Sequence, residues 1–235
     1  MKAGLIAAGL GERLREAGIT TPKPLVAVAG KPLIDHVLDA VAAAGIAEVA
    51  CIFNEEADDV AQHCRARAAQ PRLQIVRRTT PSSMESLFTL APQLNDAPFL
   101  LLTVDAVFAP AVLRDFLDAA VRHADADVVL ATTDFVDDEK PLRLAVDDSG
   151  RVTALADAAA GSPLVTAGFY VFHPRVFAEI EAARACRYTA LRQYLVHLLE
   201  RGYRLYGERT GKTVDVDRPQ DIAAADAFVR SGFAS

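Results

Sequence analysis

The chain has 235 residues, of which 51% are hydrophobic and 24% charged, with a formal net charge of -6. That length suits one large α/β domain with a substantial core, and the negative balance disfavours nucleic acid or an anionic membrane surface as a partner. No apolar run approaches the roughly 20 residues of a membrane helix.

Met1-Lys2 runs straight into the strand-like AGLIAA without a signal-peptide core, so a cytoplasmic protein is expected. Cys51, Cys64 and Cys186 are scattered and lack the spacing of a disulfide framework or a zinc site, which fits a reducing compartment.

In chain order, residues 2–7 read as a strand that breaks into a loop carrying Gly9 and Gly11. A dinucleotide fingerprint fails because Leu14 stands at the third glycine position, and the GK[ST] ending of a P-loop is missing. What distinguishes the stretch Ala7–Leu25 is its cations. Arg13 is followed by Thr21-Pro22-Lys23-Pro24-Leu25, in which two prolines restrict the backbone around a lysine. Backbone N–H groups of Ala8, Gly9, Leu10, Gly11, Glu12 and Arg13 can form a concave anion nest after Ala7. Arg13 can fork onto phosphate oxygens, and Lys23 can hold a point charge against a phosphate.

Helical spacing from Lys31 to Ala44, a buried strand at 48–53, a helix at 57–68, a strand at 73–78 and a helix at 83–91 give a βαβα alternation. The apolar strand PFLLLTV at 98–104 is typical of a central parallel strand, and Asp105 follows its carboxyl end, where open α/β sheets bind ligands. A helix at 110–123, a strand at 127–133 and a hairpin at 142–155 turning through Asp148-Ser149-Gly150 come next. The remainder reads as a loop at 157–163, a strand at 163–172, helices at 174–182 and 188–201, short strands over YRLYGE and KTVDV, and a last helix at 219–231. The expected fold is a single-domain α/β chain with a Rossmann-like mixed, mostly parallel central sheet flanked by helices. Gly211-Lys212-Thr213 is a decoy, because Gly207 and Gly211 enclose three residues instead of the four a P-loop needs.

Together AAGLGERL, TTPKPLVAVAGKPLI, the strand-end Asp105, VTAGFYVFHP and VDVDRPQDI resemble the nucleotidyltransferases that make nucleoside-diphosphate sugars from a sugar 1-phosphate. The similarity covers nearly the whole chain in order and looks closest to the compact N-acetylmuramate 1-phosphate uridylyltransferase type. It implies Mg²⁺, an NTP and a phosphorylated sugar or alcohol as ligands. It also implies a nucleotide-binding half at 1–110 and a sugar-phosphate-binding half at 111–235; homodimerisation is left open.

By that resemblance Arg13 and Lys23 are the catalytic cations, and Asp105 and Asp215 hold the metal. Asp217 is a further candidate ligand, standing where glycine is usual, and Val104 also stands at a usual glycine position. Thr80, Ser82 and Ser83 fall in the segment that contacts base and ribose, although Ser82 and Ser83 read equally well as helix caps. Thr166, Ala167 and Gly168 would line the acceptor site, with Lys212 within reach of a phosphate. Asp221 reads as support for the last helix, and Arg65, Arg67, Arg72, Arg77 and Arg78 as solvated surface cations. The sequence keeps open a cytidylyltransferase of choline or inositol phosphate, a molybdenum-cofactor nucleotidyltransferase, and a non-catalytic nucleotide-sugar-binding protein.

Overall fold

The computed structural model describes residues 1–68, 70–135 and 141–234. Its first half runs β1 (Lys2–Ala7), α1 (Glu12–Glu16), β2 (Ala27–Val28), β3 (Lys31–Pro32), α2 (Leu33–Ala43), β4 (Glu48–Phe53), α3 (Asp58–Ala66), β5 (Arg72–Arg77), α4 (Ser83–Leu94), β6 (Phe99–Thr103), β7 (Ala106–Phe108) and α5 (Pro110–Ala120). The second half runs β8 (Val128–Thr133), β9 (Leu144–Val146), β10 (Val152–Leu155), β11 (Val165–Phe172), α6 (Ile180–Ala185), α7 (Leu191–Glu200), β12 (Leu205–Arg209), β13 (Thr213–Asp215) and α8 (Pro219–Arg230).

Seven strands form one sheet in the order β12-β8-β11-β6-β1-β4-β5. The strands β6, β1, β4 and β5 are mutually parallel, as are β12 and β8, while β11 runs antiparallel to both of its neighbours. This is the mixed, mostly parallel sheet expected from the sequence. Successive side chains of β1 enter different cores: Ala3, Leu5 and Ala7 join the cluster that includes residues of α2, α3 and α5, and Ile6 joins the cluster that includes residues of α4 and α7. Burial on both faces is why this strand reads as a continuous apolar run.

A third apolar cluster joins Leu14 of α1, Val28 of β2, Val107 of β7, Val214 and Val216 around β13, and Phe228 of α8. It lies off the main sheet and fixes the cation-bearing loop against the far end of the chain.

Local boundaries differ from expectation where tertiary pairing intervenes. Residues 12–16 form a short helix within the stretch read as loop, and α2 starts at Leu33 because Lys31 and Pro32 pair with β2. The hairpin at 142–155 forms its own two-stranded sheet and touches the main one through single bridges, Arg143 to Val165 and Arg151 to Tyr206. The helix expected at 174–182 is a 3₁₀ segment, Pro174–Glu179, continuing into α6, and α7 starts at Leu191, later than the expected 188.

Candidate active site

Everything chemically distinctive gathers at the carboxyl edge of β1 and β6, next to the start of the antiparallel β11. After Ala7 the chain turns through Gly11, whose φ of 63° is left-handed. A Cβ built on Gly11 would stand 3.1 Å from Lys23 Cβ, so this glycine admits both the turn and the close approach of the lysine. Lys23 itself opens a single 3₁₀ turn, Lys23–Leu25, flanked by the prolines noted in the sequence.

The Lys23 side chain is only 10% exposed; its Nζ lies 2.8 Å from Asp105 Oδ2 and 2.5 Å from Asp217 Oδ1. Arg13 Nη1 lies 2.7 Å from Asp217 Oδ2, so both oxygens of Asp217 face cations. Burial works against the Lys23 ammonium, but Asp105 and Asp217 more than offset it and hold its pKa above the usual lysine value. Burial likewise opposes the Asp105 carboxylate, and Lys23 with the Thr103 hydroxyl outweighs that, leaving its pKa below the ordinary aspartate value.

The late carboxylates reach the site through backbone pairing. Asp215 pairs with Ala106, and the Val216 N–H donates to the Asp105 carbonyl at 3.0 Å. Asp217 follows the end of β13, and its N–H and that of Arg218 donate to Asp221 Oδ2 at 2.9 and 2.7 Å. Asp221 therefore supports the start of α8, as expected from the sequence.

Two cavities meet along these residues. One, about 490 Å³, is lined by the loop from Ile6 to Arg13, Lys23, Asn54, and Thr79 to Ser83. The other, about 250 Å³, is lined by Thr166, Gly168 and Tyr170 of β11, by Arg192 at the start of α7, and by Thr213 and Asp215. Ser83, Thr103, Asp105 and Asp217 belong to both walls.

Most of the expected site residues are thus brought together. Ala167 is an exception, its side chain buried in the core, because successive residues of a strand face opposite sides. The same period of two places Tyr170 beside Thr166 and Gly168, a residue that extending the pattern would have found. Burial pushes the Tyr170 hydroxyl up to about 12, keeping it neutral near physiological pH. Gly168 has a φ of 83°, and a Cβ there would lie 3.2 Å from Ala106 Cβ, 3.4 Å from Thr103 Oγ1 and 3.9 Å from Asp215 Oδ1.

Ser82 Oγ accepts from the Glu85 N–H at 3.2 Å as the cap of α4, and Ser83 Oγ accepts from the Leu191 N–H at 3.0 Å. Both serines thus do structural work while lining the cavity. Lys212 lies outside both cavity walls, its Nζ 4.2 Å from the centroid of the Phe135 ring, which lines the smaller cavity. Arg72 pairs with Glu48 and Arg77 with Asp58 at the surface, as read from the sequence, whereas Arg67 departs from that reading: its side chain is only 12% exposed and is held between Asp35 and Asp39. Arg192 and Asn54 also line these cavities, although neither carries a local motif in the sequence.

The donor set suits Mg²⁺, which takes one or two carboxylates and completes its shell with phosphate oxygens and water. Asp105 and Asp215 line one cavity and provide such oxygens, and the missing side chain of Gly168 keeps a methyl from crowding Thr103 Oγ1 and Asp215 Oδ1. Among the described residues no group of three or more His, Cys, Asp or Glu side chains is arranged as a metal cage.

A mixed sheet with a cation-bearing loop after its first strand and an aspartate after its central strand is the Rossmann-like architecture of the nucleotidyltransferases. The chain belongs to the MobA-like NTP transferase domain family, whose model matches residues 3–201. Asp215 and Asp217 lie beyond that span. The chain is 34% identical over 159 residues to CMP-5'-(3-aminopropyl)phosphonate synthase of Streptomyces rubellomurinus, covering 60% of this chain and 25% of that protein. It is 26% identical over 234 residues to mannose-1-phosphate guanyltransferase of Emericella nidulans, covering 94% of this chain and 62% of that one. The chain therefore spans a quarter to about three-fifths of the length of these relatives. The structure of the inositol-1-phosphate CTP transferase from T. maritima shares the fold with a TM-score of 0.84 at 18% identity, covering 100% of this chain and 98% of that chain.

Proposed function

We propose that this protein is a Mg²⁺-dependent nucleotidyltransferase that joins an NTP to a sugar 1-phosphate, forming an NDP-sugar and releasing pyrophosphate. The larger cavity, with the nucleotide-binding half at 1–110, takes the NTP, its base directed toward Thr80, Ser82 and Ser83. The smaller cavity, lined chiefly by 111–235, takes the acceptor. An acceptor phosphate oxygen attacks the α-phosphorus, and the bond from that phosphorus to the bridging oxygen of the leaving pyrophosphate breaks. Lys23 lies against the reacting phosphate and Arg13 against the leaving charge, which is where positioning and neutralisation lower the barrier. Asp105 and Asp215 would hold Mg²⁺, which would supply further charge neutralisation on the phosphates. The attacking phosphate is already anionic near neutral pH, so a general base is unnecessary. The buried free thiols of Cys51 and Cys64 are consistent with a cytoplasmic setting.

The observation that carries this reading is the ion pair between Lys23, on the wall of the larger cavity, and Asp105, which lines both cavities. A panel of NTPs crossed with phosphate monoesters tests it by pyrophosphate release, and silence across the panel rejects it. A phosphonate acceptor is a second reading, favoured by the 34% identity to the phosphonate-handling relative. Its oxygen is anionic too, so the same cations serve, and aminoalkylphosphonates added to the panel decide between them.

A further inference from the structure

We propose that Asp217 is a switch carboxylate that occupies the phosphate-binding cations until a polyphosphate arrives, and so couples polyphosphate binding to the divalent ion. This inference rests on the nucleotidyltransferase reading. Asp217 offers one oxygen to Arg13 at 2.7 Å and the other to Lys23 at 2.5 Å, so a single carboxylate spans the two cations assigned to the nucleotide. A carboxylate and a phosphate present similar anionic oxygens, and the same guanidinium and ammonium serve either. The hydrogen bonds from the Asp217 and Arg218 N–H groups to Asp221 hold the backbone, so displacement needs only side-chain rotation.

Charge makes the exchange conditional. Among the described residues, the charged side chains lining the two cavities are Arg13, Lys23 and Arg192 against Glu12, Asp105, Asp215 and Asp217, a net charge of -1. A polyphosphate that takes Arg13 and Lys23 leaves Asp217 as an unpaired like charge beside it, which is unfavourable. A divalent cation relieves that repulsion. Asp217 thereby makes anion binding depend on the metal.

The probe is inorganic tripolyphosphate, titrated calorimetrically with and without Mg²⁺ into wild type, Asp217→Asn and Asp217→Glu, with thermal melts to confirm folding. The switch predicts that Asp217→Asn binds metal-free tripolyphosphate about tenfold more tightly than wild type, and that the gain in affinity on adding Mg²⁺ shrinks accordingly. Asp217→Glu should restore the wild-type dependence on Mg²⁺. Unchanged or weaker metal-free binding by folded Asp217→Asn, while wild type binds tripolyphosphate with Mg²⁺, overturns the switch alone. Failure of all three folded proteins to bind tripolyphosphate under either condition overturns both the switch and the nucleotidyltransferase reading.

Discussion

The Val216 backbone N–H donates to the carbonyl of Asp105 at 3.0 Å, tying the segment before α8 to the carboxyl end of the central strand. That bond, with the Asp215–Ala106 pairing, brings Asp217 to the same lysine as Asp105, so that two carboxylates distant in sequence meet at Lys23. Because backbone geometry enforces the approach, single side-chain replacements at the site should change chemistry more than fold.

Gly168 is the position where this separation fails. Alanine there would have to adopt a φ of 83° and place its methyl 3.2 Å from Ala106 Cβ. Gly168→Ala should cost about 1–3 kcal/mol of stability, read as a lowered midpoint in urea unfolding. It should also weaken acceptor binding, and a variant matching wild type in both measurements would show that β11 adapts at no cost.

Arg192 lines only the smaller cavity, whereas Arg13 lines only the larger one. Arg192→Ala should therefore raise the KM for the acceptor by about tenfold, as expected for one lost charge-assisted contact, and leave the KM for the NTP near its original value. Equal effects on both substrates would place Arg192 outside acceptor recognition.

Glu179 links the 3₁₀ segment Pro174–Glu179 to α7: His197 Nε2 lies 2.9 Å from one carboxylate oxygen, and Tyr203 donates to the other at 3.3 Å. Burial pushes the Glu179 pKa up, but the His197 hydrogen bond, the Arg201 charge and the Tyr203 hydroxyl together hold it below the ordinary glutamate value. A lowered carboxylate contributes stability that is fully present above the unfolded value of about 4.3 and is lost as pH falls through the folded value. Wild-type Tm should therefore drop on acidification across that window, with a shallower drop in Glu179→Gln. Parallel acid limbs would deny the pair this role.

Much of the site was legible locally, because the residues that carry it sit where one strand ends. Gly11, Arg13 and Lys23 lie within one stretch, and Asp105 follows an apolar run whose burial on both faces the composition already implied. The partner of each charge was not legible. Lys23 and Asp217 are far apart along the chain, and neither periodicity nor capping chemistry encodes an ion pair across the fold. Arg192 is illegible for the same reason: it looks like any exposed residue in the first turn of a helix until the fold sets it on one cavity wall with Thr166, Gly168 and Tyr170 of β11. The 3₁₀ segment at 174–179 and the separate β9–β10 hairpin likewise depend on neighbours remote in sequence, as does the short β7 strand that pairs with β13.

Lys23 and Asp105 offer the most direct test of nucleotidyl transfer at this site. Pyrophosphate release should be measured side by side for wild type, Lys23→Ala and Asp105→Ala, with Mg²⁺ and the best substrate pair from the panel. Turnover in each folded variant should fall by at least about 10²-fold, the scale for losing one preorganised charge at a reacting phosphate. Near-normal turnover in either variant would contradict the assignment of the reaction to the Lys23–Asp105 wall.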